Sequence, residues 1–292
     1  MIDLGPTPDA MVSRRRFCIE LRRVRMDAGL TQREVAEALE WSPAKLLRIE
    51  NGQVGISRID LLALLDHYGV DDPERQRHFL ALARRSKKQV WTTYRDVLNL
   101  DFINYLGYEG AASVIRQFEL TFVPGLLQTE EYARALIQGL STPGEKRKVD
   151  RQVQARMARQ EIIHRPDPPR MFFMLDEAVV HRWVGAGSSD ATIMRRQLQQ
   201  LAELDATPHI DIHVIPFSSG VHLGMMGSFV ILEFPDPVDD DLLFIENGRK
   251  ALVTREDRSE IERYKGMFWG FETAVRQRPI GEVLDRILRD IA

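Results

Sequence analysis

Three polar side chains alternate with apolar residues in the second half of the sequence. In His209-Ile-Asp-Ile-His213, the residues His209, Asp211 and His213 fall on one face of a predicted strand. Histidine and aspartate can bind divalent metals. Alternate side chains of a strand sit about 7 Å apart, however, which is wide for three ligands on one ion. A half-buried strand with a polar outer face explains the same residues, so we expect no metal site.

Three further segments have residue types that occur in active sites or cofactor sites. Asp176–Glu177 is an acidic pair, but it lies where a helix is predicted to begin, and a helix N-terminus favours acids. Pro124–Thr129 forms a turn before a capped helix, without the lysine and spacing of a phosphate loop. Gly185-Ala-Gly187 alone is a weak nucleotide-binding signal. We therefore expect no enzyme activity and no cofactor.

The segment Ser218–Gly227 is the most flexible-looking loop. It holds two methionines and a histidine beside three glycines, a composition that suits the lining of a pocket or of a groove for a partner. A long connection between two strands explains the same residues, and we favour this interpretation.

Helical periodicity runs through residues 13–86. Apolar residues repeat at helical spacing in the first predicted helix, which Ala28-Gly29 ends. Thr31 and Glu34 have the spacing of a capping box, so a short second helix begins there. Ser42-Pro43 begins a third, because serine caps a helix and proline suits its first position. Two more helices are predicted near 57–68 and 73–86.

The second and third helices have the lengths and the short turn of a helix-turn-helix. The helices of that motif nearly touch, so Ala36 must be small, while Leu39, Leu46 and Ile49 wedge them together. The outward positions of the third helix carry small and basic side chains that suit a major groove, although a solvated helix face explains them as well. Donors near the start of the second helix suit phosphate. The predicted DNA-binding residues are Gln32, Arg33, Ser42, Ala44, Lys45, Arg48 and Arg58.

The segment TQREVAEALEWSPAKLLRIENG, with LRRVR upstream, resembles the helix-turn-helix of the XRE (Cro/C1-type) DNA-binding family over residues 15–75. In relatives, the glutamate that corresponds to Glu50 pairs with an arginine of the first helix, here Arg25 or Arg22. The resemblance therefore implies a structural role for Glu50. The turn usually holds glycine at its ninth position, where this chain has Glu40. A residue other than glycine costs on the order of 1 kcal/mol in left-handed geometry.

The length of the chain and the distribution of its charge both indicate two domains of different character. The chain has 292 residues, which suggests about two domains, and a net charge of −3. Residues 1–88 nevertheless hold 16 Lys and Arg against 13 Asp and Glu. This asymmetry points weakly to a polyanionic partner, but on charge alone we favour a solvated helix face.

Composition bears on where the protein works. The longest apolar runs have about five residues, whereas a membrane-spanning helix needs roughly 20. The first ten residues lack the pattern of a secretory signal. The single cysteine, Cys18, lies on the apolar side of its predicted helix and is expected to be a small core residue. We expect a cytoplasmic protein with no membrane partner.

The rest of the chain predicts a second domain of helices interspersed with strands, of the α+β or α/β class. Residues 89–108 are rich in aromatic side chains and are predicted to form a packed connector. Helices are predicted over 109–120, 129–139, 145–164, 176–184, 190–205, 256–275 and 280–290. Strands are predicted over Arg170–Leu175, His209–Ile215, Gly227–Phe234 and Leu242–Glu246.

Residues 109–280 resemble the C-terminal domain of WhiJ-like regulators of actinobacteria. The resemblance rests on EGAASVIRQFELTFVPGLLQTEEYARALI, MLDEAVVHRWVG and HVIPFSSGVHLGMMGSFVILEF, among other segments. That domain has no assigned biochemical activity. The family implies a small acidic partner protein encoded nearby, in an antitoxin-like arrangement, and a link to development and antibiotic production.

Together these observations predict a multidomain protein. An all-α helix-turn-helix domain covers 1–88, with its motif at 31–52, and a connector at 89–108 leads to a regulatory or partner-binding domain at 109–292. The predicted function is a sequence-specific transcriptional regulator that binds double-stranded DNA as a homodimer and receives a protein or ligand signal. The alternatives are an antitoxin-like interaction protein that autoregulates its locus, and a ligand- or metal-sensing domain fused to a DNA-binding module.

Overall fold

The chain divides into two compact units. The computed structural model describes residues 10–52, 54–86, 90–185, 191–235, 240–247, 250–254, 257–275 and 280–290. The N-terminal unit runs from Pro6 to Thr92, and the C-terminal unit spans Thr93–Ala292. Within the described ranges, none of the helices has the length and hydropathy that a membrane crossing requires.

The described part of the N-terminal unit is built from helices, as the periodicity predicts. Each of the five contributes at least one fully buried side chain to a common core, and these include Leu21, Val35, Leu46, Leu64 and Phe79. The helices are α1 (Ala10–Asp27), α2 (Gln32–Ala38), α3 (Pro43–Glu50), α4 (Arg58–His67) and α5 (Pro73–Arg85). A 3₁₀ turn, Val90–Tyr94, follows α5.

The C-terminal unit is a mixed α/β structure, which confirms the predicted class. Its strands are β1 (Val114–Glu119), β2 (Arg170–Asp176), β3 (Ile210–Ile215), β4 (Phe229–Glu233), β5 (Leu242–Asn247) and β6 (Lys250–Thr254). Its helices are α6 (Leu100–Glu109), α7 (Glu130–Leu140), α8 (Lys146–Arg159), α9 (Glu161–His164), α10 (Glu177–His181), α11 (Thr192–Asp205), α12 (Arg258–Val275) and α13 (Ile280–Asp290).

The six strands form one sheet in the order β3-β2-β1-β4-β5-β6. Strands β1, β2 and β3 are parallel, and helices lie in the connections between them. Strand β4 is antiparallel to β1 and begins an antiparallel meander through β5 and β6. The central strands are buried, and α12 packs Phe268 and Phe271 against Phe118 of β1 and Ile231 of β4.

The predicted helix over 109–120 is wrong for most of its length, because Val114–Glu119 form the central strand β1. Two polar residues interrupt the apolar pattern there, yet both are buried with partners. Arg116 Nε donates to Glu233 Oε1 at 2.6 Å, and Gln117 Nε2 donates to Glu119 Oε1 at 2.7 Å. Strand β6 also forms where no strand was predicted.

Helix α6 forms within the aromatic-rich segment 89–108 and extends to Glu109. A buried ion pair fastens it to α8, since Arg159 donates to both Glu109 oxygens at 2.6 and 2.7 Å. Burial opposes the guanidinium charge, but the Glu109 carboxylate raises the pKa of Arg159 overall. The Tyr105 hydroxyl donates to the same carboxylate at 2.5 Å. Residues 100–109 thus pack as part of the C-terminal unit.

Candidate nucleic-acid interface

Local sequence determines where α2 and α3 begin. The Thr31 hydroxyl accepts from Glu34 N at 3.3 Å, and Thr31 N donates to Glu34 Oε2 at 2.8 Å, which confirms the predicted capping box. Ser42 caps α3 by accepting from Lys45 N at 3.2 Å, and Pro43 takes the first helical position. The two helices are therefore joined by the short turn of 39–42.

Glu40 shapes this turn. Its φ is 54°, the only positive value that a residue other than glycine adopts in the described part of the chain. The turn thus has, at Glu40, the left-handed conformation that usually favours glycine. Trp41 N donates to the Ala36 carbonyl at 2.7 Å, so the chain folds back closely on α2. Ala36 is completely buried at this point, where a larger side chain would separate the helices.

The apolar wedge between the helices lies as the motif requires. Leu46 and Ile49 of α3 are buried in the core of the N-terminal unit, and Leu39 packs against that core while half exposed. Cys18 belongs to the same surroundings, and its thiol donates to the Ile49 carbonyl at 3.5 Å. Burial raises the pKa of Cys18 to about 11, so the thiol stays protonated at neutral pH.

Glu50 is the polar centre of the unit. It is completely buried, and Arg25 holds it through Nε at 2.7 Å and Nη2 at 3.2 Å. Gln32 Nε2 donates to Glu50 Oε2 at 2.7 Å. The hydrogen bonds to Glu50 raise the pKa of Arg25 despite its partial burial. This cluster ties α1, α2 and α3 together, in the pairing that the XRE resemblance implies, and it fixes the orientation of α3.

The face of α3 opposite the wedge is open to solvent. Ala44, Leu47 and Arg48 are exposed, and Ser42 and Asn51 continue this face beyond the two ends of the helix. Arg48 Nε bonds back to the Ala44 carbonyl at 3.1 Å. Leu47 and Asn51 were not among the predicted contact residues, although the helical repeat from Ala44 would have found both.

Lys45 makes its contacts within the protein. Its ammonium lies 3.3 Å from Asp60 Oδ2 on α4 and 3.8 Å from the ring centroid of Trp41. Both side chains of this ion pair are about one-third exposed. The structure therefore places Lys45 in a contact between α3 and α4, whereas the sequence assigned it to the groove-facing set.

The residues predicted to contact phosphate differ in how accessible their side chains are. The amide of Gln32 is committed to Glu50, as described above. Arg33 is highly exposed and pairs with Glu37 at 2.9 Å, a surface ion pair of small energetic value. Arg58 is exposed at the first position of α4, beside the cap that Ser57 provides. Arg33 and Arg58 thus remain accessible to a polyanion.

The alternating segment in β3 does not gather three ligands. His209 Nε2 lies 3.1 Å from the Ile163 carbonyl, while Asp211 faces Arg170 at 3.7 Å. Nδ1 of His213 is buried without a hydrogen-bond partner. Nowhere in the described ranges do three or more His, Cys, Asp or Glu residues lie together in a way that would hold a metal ion.

The acidic pair caps a helix and anchors a loop. Asp176 caps α10 by accepting from Ala178 N at 2.8 Å, and His222 Nε2 lies 3.3 Å from its other oxygen. Glu177 Oε2 accepts from Phe217 N at 2.7 Å. Both carboxylates hold the loop between β3 and β4 in place. Five large apolar side chains of that loop are exposed, namely Phe217, Val221, Leu223, Met225 and Met226.

The remaining segments have structural roles where they are described. The turn at Pro124–Thr129 is buried, and its Leu127 carbonyl accepts from the amides of Gln197 and Gln200. Thr129 caps α7 by accepting from Tyr132 N at 3.1 Å. Of the glycine pair, Gly185 has a φ of 84°, and Gly187 lies outside the described residues.

The geometry of α2, the turn and α3 defines the first unit as a helix-turn-helix domain. Residues 16–78 match a family model described as a helix-turn-helix domain. Such domains place their second motif helix in the major groove of DNA. The match covers the Glu50 cluster and the exposed face of α3.

Residues 102–274, more than half of the chain, match the family DUF5753, a domain of unknown function. The chain belongs to this family. Neither the curated proteins nor the solved structures that were compared include a match to the chain.

Proposed function

We propose that the protein is a sequence-specific DNA-binding transcriptional regulator. The observation that carries this proposal is the exposed face of α3. The buried Glu50 cluster fixes the orientation of this helix within the unit. Arg48 lies on this face and supplies donors suited to guanine N7 and O6 in the major groove. Arg33 and Arg58 supply phosphate contacts, because exposed guanidinium groups exchange weak surface partners readily. A DNA partner implies a cytoplasmic protein.

We further propose that the protein binds as a homodimer. One short helix offers few base contacts, so specific binding needs two half-sites about one DNA turn apart. The small basic excess of residues 1–88 adds little attraction to DNA of arbitrary sequence.

The test begins with selection of duplexes from a random-sequence library by the full-length protein. Arg48→Ala should then weaken binding to the selected duplex by about 1–3 kcal/mol while leaving binding to random DNA nearly unchanged. Arg84→Ala, an exposed arginine in the last turn of α5, is the matched control and should bind like the parent. Equal binding of Arg48→Ala and the parent to both duplexes would overturn the proposal.

For the C-terminal unit we propose a binding role without catalysis. The exposed apolar side chains of the loop between β3 and β4 favour a protein partner, because such clusters mark interaction sites. The resemblance to WhiJ-like regulators points to a small acidic protein encoded nearby, which keeps the antitoxin-like alternative open. Co-purification of that neighbour with the parent, and its loss in a Val221→Ser, Met226→Ser variant, would support this role. Retention of the neighbour by the variant would exclude the loop as the binding surface.

A further inference from the structure

Helix α3 presents an unusually apolar surface for a helix proposed to read DNA. Leu46, Ile49 and Glu50 face the core, and the opposite side carries Ala44 and Leu47 one turn apart. Leu47 is 45 % exposed at the middle of this side, and it does not belong to the apolar core that the described residues of the N-terminal unit form. Under the proposed function, the exposed side chain of Leu47 therefore faces the major groove.

The other cation of α3, Lys45, makes its contacts within the protein. Lys45 is held between Asp60 and the ring of Trp41, so its charge is largely compensated within the protein. Asp60 offsets part of the positive potential on this flank of α3, because its carboxylate lies 3.3 Å from the Lys45 ammonium. Arg48 is then the cation that α3 itself presents on its open face.

The chemistry of the groove restricts what Leu47 can read. Base edges in the major groove display hydrogen-bond donors and acceptors, and the only apolar group among them is the 5-methyl group of thymine. A leucine set against the polar edge of guanine, cytosine or adenine would remove water from that edge without replacing its hydrogen bonds. When leucine contacts a thymine methyl group instead, both groups bury apolar surface away from water, which is favourable.

We propose that Leu47 is a specificity-determining residue that reads the 5-methyl group of a thymine. The inference rests on the proposed DNA-binding function. Contact between Leu47 and one methyl group requires thymine at one position of each half-site, next to the base pair that Arg48 contacts. The cluster of Arg25, Gln32 and Glu50 keeps the backbone of α3 fixed, so the helix cannot tilt to carry Leu47 away from an unsuitable base without cost.

The experiment removes the methyl group from the DNA alone. Duplexes selected from a random library by the full-length protein are rebuilt with deoxyuridine in place of each thymidine in turn, which deletes only the 5-methyl group. For the parent protein, one substitution in each half-site should weaken binding about fourfold, which corresponds to losing the burial of one methyl group. Leu47→Ala should bind the unmodified duplex more weakly and show no further loss with deoxyuridine at that position.

Two further variants complete the design. Arg48→Ala should keep the sensitivity to deoxyuridine while losing its own contact, and Ile19→Ala, which shortens an exposed apolar residue of α1, should behave like the parent. The inference is overturned if no deoxyuridine substitution weakens binding by the parent, or if Leu47→Ala keeps the full loss. If the library yields no enriched sequence, the proposed function itself fails, and this outcome is distinct from the first two.

Discussion

Glu40 carries a backbone cost at the turn between α2 and α3. Its φ of 54° lies in the region that favours glycine, because a Cβ atom there crowds the following carbonyl. The side chain is exposed, so no packing contact compensates for this cost. The sequence predicts this cost, because Glu40 occupies the position of the motif that usually holds glycine.

Replacing Glu40 with glycine should therefore stabilise the N-terminal unit. The expected gain is about 0.5–1 kcal/mol, the relief of left-handed strain less the greater freedom of glycine in the unfolded chain. Hydrogen exchange of the α3 amides in the full-length protein measures the change. Ala38→Gly, at the last residue of α2, should destabilise instead, by up to about 1 kcal/mol. Equal effects of both glycines would contradict the account.

Glu34 gives the unit a pH dependence of known sign. Hydrogen bonds from the Thr31 amide and hydroxyl lower the pKa of Glu34. Because the folded-state pKa lies below the unfolded value of about 4.3, the stabilisation is present above that value and is lost as pH falls through the folded-state pKa.

In Glu34→Gln, which keeps the capping contacts but cannot titrate, protection of α2 amides should depend less on pH below about 5 than in the parent. Carbon-detected NMR of the Glu34 carboxyl should give a midpoint below about 4.3. A midpoint at or above that value would show that the capping box does not hold the ionised form.

At the scale of elements, the buried Glu50 carboxylate decides how α1, α2 and α3 meet. Arg25 and Gln32 saturate it, and Arg22 Nη2 donates to the Glu50 carbonyl at 3.3 Å and to Asn51 Oδ1 at 3.0 Å. The side chain and the backbone carbonyl of Glu50 thus together link the core of the unit to the C-terminal end of the helix proposed to enter the groove. Loss of one partner leaves a buried charge without adequate compensation.

Arg25→Met should cost about 3–5 kcal/mol of stability in the N-terminal unit. Arg23→Met, on the exposed side of α1, is the matched control and should stay within about 0.5 kcal/mol of the parent. Hydrogen exchange of the α1 and α3 amides reports both values. A second substitution, Glu50→Gln, in the Arg25→Met background should recover part of the loss. If Arg25→Met resembled the control, Glu50 would not organise the three helices.

Elements with local signals could be predicted, and elements that depend on distant partners could not. The caps of α2 and α3 follow from residues three positions apart, which is why the helix-turn-helix was predictable from Thr31, Glu34 and Ser42. Strand β1 reads as a helix because its buried Arg116 finds its partner, Glu233, on β4 more than one hundred residues later. The commitment of Lys45 to Asp60 likewise depends on how α4 packs, which the residues around Lys45 do not specify.

At the scale of the whole molecule, the basic residues are in excess in residues 1–88 and the acidic residues in the rest of the chain. The net charge of −3 conceals a basic excess in residues 1–88, and that excess is small. Few phosphate contacts imply weak binding to random DNA and a modest dependence on salt. Under the proposed function, affinity for a specific site comes from base contacts of α3 and from the pairing of two copies.

The central claim is that α3 of two copies enters the major groove at two half-sites. Dimethyl sulfate interference on the selected duplex tests it most directly, because the reagent methylates guanine N7 in the major groove and adenine N3 in the minor groove. We predict that N7 methylation prevents binding of the full-length protein in two clusters about 10 bp apart, and that N3 methylation does not. Interference confined to adenine N3, or its absence in both grooves, would contradict the account.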